Sequence, residues 1–236
     1  MSSCRHPFRR PLAALAGSLL LAAPGIAARG AGLDDLSPKD ASAGLRAALG
    51  QGIDRAIAQL GAPDGFLKNP KFTIPLPPAL EKADRALRMV GMSGDADELK
   101  TAMNHAAESA MGEAKPIFKQ ALQHMSVSDA KNILAGGDDA ATQYFRKATS
   151  GQLAEKFKPI VTRATAKAKL GPMYDKYAGK AAQFGLVKSE DANLNDYVTA
   201  KALDGLFGAI ADEERAIRKD PVGQASSIIR KVFGAL

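Results

Sequence analysis

The sequence predicts an all-α protein, a single-domain irregular bundle of about eight or nine helices. Three observations predict it. Apolar residues recur at spacings of three and four through most of the chain, which lines one face of a helix. The periodic runs begin at Ser or Asp and end at Gly or Pro, the residues that start and stop helices. Strand-like alternation occurs only once, in a Pro-rich stretch over 62–78. The 236 residues are 46% hydrophobic with one Cys, enough to bury a core and too few cysteines for a disulfide scaffold.

The first residues read as an export signal. Arg5, Arg9 and Arg10 form a basic start, Leu12 to Ala23 an apolar run, and Pro24-Gly25 a helix break before small residues. We expect cleavage after Ala28, giving a leader of 1–28 and a helical domain of 29–236 that is periplasmic or secreted. Cys4 precedes the apolar run, so it is not placed as a lipid-carrying cysteine, and cleavage removes it. No later segment offers about 20 apolar residues without charges, so the mature chain is not expected to span a membrane.

Ser37-Pro38-Lys39-Asp40 opens the first helix, with Ser37 as cap, Pro38 in the first turn and Asp40 favoured by the helix dipole. Leu45, Leu49, Ile53, Ile57 and Leu60 line it until Gly61. Pro63, Pro70, Pro75, Pro77 and Pro78 then forbid a helix. Phe72, Ile74 and Leu76 alternate with Lys71, Thr73 and Pro75, so 62–78 is read as an extended segment over the helical core. Pro78 begins a second helix carrying Leu80, Ala83, Leu87 and Val90. A third starts near Asp95 with Leu99, Met103, Ala106 and Ala110, to be kinked or split by Pro116 before Ile117, Phe118 and Leu122. Ser126 to Asp129 restart a short helix closed by Gly136-Gly137. Asp138 is expected to cap the next, and 150–169 to form an amphipathic helix, with Pro159 inside and Gly171-Pro172 as its stop. A short helix around Met173–Phe184, a polar linker over 185–192, a long helix from about Asn193 to Lys219, and a final one carrying Ile228, Ile229, Val232 and Phe233 complete the chain.

Several of these stretches resemble a known family. They are Asp64-Gly65-Phe66-Leu67-Lys68-Asn69-Pro70 with Ile74-Pro75-Leu76-Pro77, the run from Asp138 to Arg146, Lys156-Phe157-Lys158-Pro159-Ile160-Val161, Tyr197-Val198-Thr199, and the run from Lys201 to Phe207. Together they resemble the bacterial envelope family known as domain of unknown function 4197, over roughly Leu36 to Phe233. The resemblance implies an exported helical protein and brings no activity, cofactor or catalytic residue with it.

Charge narrows the partners. The chain has 32 basic and 25 acidic residues, and losing the leader's three arginines leaves 29 against 25, a balance of +4. Residues 146–180 hold nine basic residues against Glu155 and Asp175, a local +7. An exported chain does not meet nucleic acid, and this segment lacks the interleaved aromatics of a base-stacking surface. An anionic membrane surface, lipid or polyanion fits instead.

The candidate sites are few. Asp138 and Asp139 follow Gly136-Gly137 and can hold a cation or serve acid–base chemistry, although Asp at a helix start is also an ordinary cap. Tyr144 and Arg146, further along the same helix, offer a hydroxyl and a fork of donors, or a structural ion pair. In the helix over 150–169, Leu153, Phe157, Ile160, Val161, Ala164 and Ala168 form one stripe, flanked by Lys156, Arg163 and Lys167 on one side and by Lys158 and Lys169 on the other. That pattern fits a membrane interface, or a core-facing helix with a solvated basic rim. His105 and Glu108 share a helical face, but the motif occurs once and in reverse order for a di-iron bundle, so no metal or other cofactor is expected. The phosphate-loop, Rossmann, serine-elbow, zinc-type and EF-hand patterns are missing from the sequence. The reading is a non-enzymatic binding or interaction module for an apolar or anionic envelope component. Two alternatives stay open: an enzyme with an acidic site at Asp138 and Asp139, and an oligomeric structural protein.

Overall fold

In the computed structural model, residues 37–89, 94–183 and 194–220 are described. They form eight α-helices with no strand among them: α1 Pro38–Gly61, α2 Pro78–Met89, α3 Gly94–Ala110, α4 Ala114–His124, α5 Val127–Ala135, α6 Ala140–Lys167, α7 Leu170–Gln183 and α8 Leu194–Lys219. A 3₁₀ turn, Met111–Glu113, joins α3 to α4. The expected leader, the 185–192 linker and the final helix lie outside the described residues. No helix among the described residues is long and apolar enough to cross a membrane.

The helix starts follow local chemistry. Ser37 Oγ accepts the Asp40 N–H at 3.1 Å at the head of α1. At α5, Ser126 Oγ accepts the Asp129 N–H at 3.0 Å while Asp129 accepts the Ser126 N–H at 2.9 Å, a reciprocal capping box. Donation from Ser126 Oγ at 2.7 Å and from the Ser126 N–H holds the Asp129 carboxyl below its ordinary pKa.

α8 packs against α1, α3 and α6, and α6 packs in turn against α3, α4, α5 and α7. Where α4, α6 and α8 meet, Phe118, Phe145 and Phe207 are wholly buried. Phe118 meets the other two rings edge to face at 5.7 and 6.0 Å, the arrangement their quadrupoles favour.

Three boundaries differ from the sequence expectation. Residues 140–167 are one helix rather than two. Ala141, Phe145, Thr149, Leu153, Phe157, Val161 and Thr165 are all buried at a spacing of four, and they carry the core register straight past Ser150-Gly151. That spacing drifts by about 40° per step on an α-helix, so the buried face winds around α6 and meets several neighbours in turn. The break before Pro116 comes at the 3₁₀ turn, which leaves Pro116 in the first turn of α4, where its missing N–H would have been unpaired anyway. Likewise Lys169, at φ 54°, ends α6, and Gly171-Pro172 fall inside the first turn of α7.

The 62–78 segment is a strap, and only part of it is extended. Residues 63–68 and 70–72 lie in turns, and 73–77 carry neither turn nor helix, a stretch that Pro75, Pro77 and Pro78 bias toward extended backbone. Pro63 and Pro70 suit turns, and the left-handed Asp64, φ 62°, reverses the chain. Gly65 follows where an added Cβ would lie 2.3 Å from Gln59 O. Phe66, Ile74 and Leu76 are buried, whereas Pro75 points outward.

Candidate functional site

Three buried polar side chains organise the molecule, and each is satisfied by backbone. On α3, Glu108 accepts the N–H groups of Phe66 at 3.0 Å, Leu67 at 3.2 Å and Asp64 at 3.3 Å. One turn earlier, Asn104 Oδ1 accepts the Ile74 N–H at 2.8 Å and its Nδ2 donates to Ile74 O at 3.0 Å. A single amide thus does for the strap what a neighbouring strand would do. On α8, Glu214 accepts the N–H groups of Ala141 at 2.9 Å and Thr142 at 2.8 Å, and is paired with Arg218 at 3.0 Å. Arg218 also donates to Ile133 O at 2.8 Å.

Glu214 therefore caps α6, correcting the expectation that Asp138 would. The capping position is Asp139, whose side chain makes no cap hydrogen bond and instead accepts from Gln143 Nε2 at 2.9 Å. A glutamate from another helix reaches the orphan N–H groups and places its charge at the positive end of the helix dipole.

The four residues nominated for a ligand or acid–base site do not converge. Asp138 is exposed and Asp139 half-buried at the mouth of α6. Tyr144 lies against Phe145 at 5.3 Å, in the neighbourhood of Asp129 and Arg46, and burial raises its pKa. Arg146 turns the other way, pairing with Asp204 at 3.3 Å and lying over the Phe207 ring at 4.6 Å. His105 bonds Asp64 at 3.1 Å. Glu108, its partner in the metal reading, is occupied by strap N–H groups. No cluster of three or more metal-ligating side chains occurs among the described residues. Met89 and Val127 are the exposed large apolar side chains among the described residues.

The basic helix face is organised differently. Leu153, Phe157 and Val161 are wholly buried and Ile160, Ala164 and Ala168 half-buried, so the larger side chains of the α6 stripe belong to the core. Lys156, Arg163 and Lys167 lie outside it in one exposed row, about 16 Å long at 1.5 Å per residue. They make no ion pair among the described residues. Of the other cations of the region, Arg146 is matched by Asp204, Lys158 by Asp196 at 2.8 Å and Lys176 by Asp95 at 2.7 Å, whereas Lys147 and Lys169 make no ion pair among the described residues. At its Lys167 end the row borders a groove of about 810 Å³ between α3, α6 and α7. Its floor is Ala102, Ala106, Ala164, Ala168 and Met173, and Asp97, Glu98 and His105 stand on the opposite rim.

Sequence reasoning missed the partnership of the strap with α8. Phe66 and Phe72 seat on Gly205 and Gly208, where an added Cβ would lie 2.6 Å from each ring. Tyr197 donates to Pro75 O at 3.1 Å, and Lys71 pairs with Asp212. The signal was present, since two glycines three apart within the apolar run from Gly205 to Ala211 mark a close approach.

No curated protein and no solved structure matches the chain. A family model described as a protein of unknown function matches residues 35–234. That span holds the segments that meet in the strap, from Asp64-Gly65-Phe66 to Asp204-Gly205-Leu206. The chain belongs to this family, DUF4197.

Proposed function

We propose that the protein is an exported, non-enzymatic binding module of the bacterial envelope that holds an anionic membrane surface against the exposed face of α6. The observation that carries this reading is the row Lys156, Arg163 and Lys167, unmatched by carboxylates in a region where Arg146, Lys158 and Lys176 each have one. With the larger side chains of the α6 stripe in the core, the contact is electrostatic adsorption rather than insertion. A cation near an anionic leaflet contributes about 1 kcal/mol, so three contribute on the order of a hundredfold in affinity. The order of basic, apolar and small residues over 1–28 supports export.

The test is sedimentation with vesicles of phosphatidylglycerol and phosphatidylethanolamine. Wild-type protein should bind and be released as salt is raised. The K156E/R163E/K167E variant, with unchanged circular dichroism, should bind at least about a hundredfold more weakly, since it reverses the three charges rather than only removing them. Equal binding by the two proteins overturns the reading. For export, protein recovered from the envelope fraction should have lost residues 1–28, and an intact mass confined to the cytoplasm contradicts it.

A further inference from the structure

α1 and α4 pack together along Gly50 and Ile53 on one side and Phe118 and Leu122 on the other, and between them they leave an open cavity of about 440 Å³. This lies within the size range of small-molecule sites. Ile53 and Phe118 are buried, so the floor is apolar. At one end of the cavity the charges cancel, with Lys115 on Asp54 at 3.0 Å. Lys119, on the rim, has no ion partner among the described residues.

Arg46 stands at the other end. Its Nη2 donates to Met125 O, which fixes the guanidinium in place, while its Nε is buried with no hydrogen-bond partner. The guanidinium keeps its positive charge at the cavity edge, and a cation beside an apolar floor is matched best by an anion carrying an apolar chain. Arg46 and Lys119 have no carboxylate facing them across this cavity other than Asp54, which Lys115 already engages.

We infer that the α1–α4 cavity is a binding site for a single-chain anionic amphiphile of the fatty-acid type, its chain on Ile53, Phe118 and Leu122 and its carboxylate between Arg46 and Lys119. Arg46 offers its positive charge and its remaining Nη1 donor, Nη2 being held by Met125 O and Nε buried, and Lys119 adds a point charge. This site is separate from the α6 row and does not depend on it.

The test is titration calorimetry of the mature chain with laurate, lauryl alcohol and dodecylammonium. Laurate should bind at least tenfold more tightly than either of the others. K119E, an exposed substitution that leaves the fold intact, should weaken laurate at least tenfold. Gly50→Leu should abolish binding by filling the cavity, since the nearest atom to an added Cβ there is Leu122 Cδ1 at an ordinary 3.6 Å. The K156E/R163E/K167E variant should bind laurate as wild type does, so a loss of vesicle adsorption and a loss of laurate binding are told apart. Dodecylammonium binding as tightly as laurate, or laurate affinity unmoved by both K119E and Gly50→Leu, overturns the inference.

Discussion

Gly205 and Gly208 on α8 and Gly50 on α1 occupy comparable places, each on a helix face beside a crevice, and their surroundings are opposite. On α8 the chain fills the crevice itself. Phe66 and Phe72 come down onto the glycines, Asn104 and Glu108 take up the N–H groups of the strap, and Tyr197 holds its outer edge. On α1 nothing from the chain fills the space beside Gly50, and neither Arg46, held only by Met125 O, nor Lys119 at the rim has a carboxylate partner among the described residues. The contrast teaches how to tell a structural crevice from a receptive one in this molecule. The structural crevice is closed by an aromatic ring with its polar groups satisfied, and the receptive one is open with Arg46 and Lys119 lacking a carboxylate partner.

The largest effect should come from emptying the filled side. Phe66→Ala removes a wholly buried ring and leaves a cavity at Gly205, costing about 3–5 kcal/mol, to be read as a lower midpoint in urea unfolding. Asn104→Ala keeps the ring but strands the N–H and C=O of Ile74, and should cost about 1–3 kcal/mol by the same measurement. Gly50→Ala sharpens the comparison from the other side. The added methyl meets no obstruction and relieves a helix-interior glycine, so the protein should gain about 0.5–1 kcal/mol, whereas Gly205→Ala should lose stability as its Cβ presses on Phe66.

The smallest effect is with acid. Hydrogen bonds from Lys68 and His105 hold the Asp64 carboxyl below its ordinary pKa. Its contribution is therefore complete above the unfolded value, near 3.8, and is lost as pH falls through the lowered folded value. Hydrogen exchange followed below about pH 4, and compared with an unfolded reference at each pH, should show the amides of 64–69 losing protection before those of α1. Parallel loss in both segments would contradict this.

Much of the fold was legible because it is local. Ser37 and the Ser126–Asp129 box mark their helices within four residues, and the spacing-four rows of α1 and α8 point inward as expected. What escaped the sequence joins distant positions. A separate helix was expected to begin at 150, and the buried Thr149 and Leu153 on either side of that point carry one helix through it. Glu214 caps a helix 73 residues earlier in sequence, so no local pattern signals it. Glu108 stood beside His105 as a metal candidate, because carboxylate and imidazole share a face. Its real partners, three strap N–H groups, are backbone and carry no sequence identity. The α6 row was legible from periodicity alone, but its lack of ion pairs among the described residues was not. The α1–α4 cavity was invisible in the sequence, since Arg46 and Lys119 become neighbours of one space only when α4 folds back along α1.

The most direct measurement of the central claim, that the unfilled crevice is a ligand site, is native mass spectrometry of wild-type and K119E protein recovered from the envelope fraction. The account predicts a wild-type adduct that denaturation releases as a single-chain anionic amphiphile, and its depletion in K119E. A bare protein mass for wild type, or the same adduct at equal occupancy in both proteins, would contradict it.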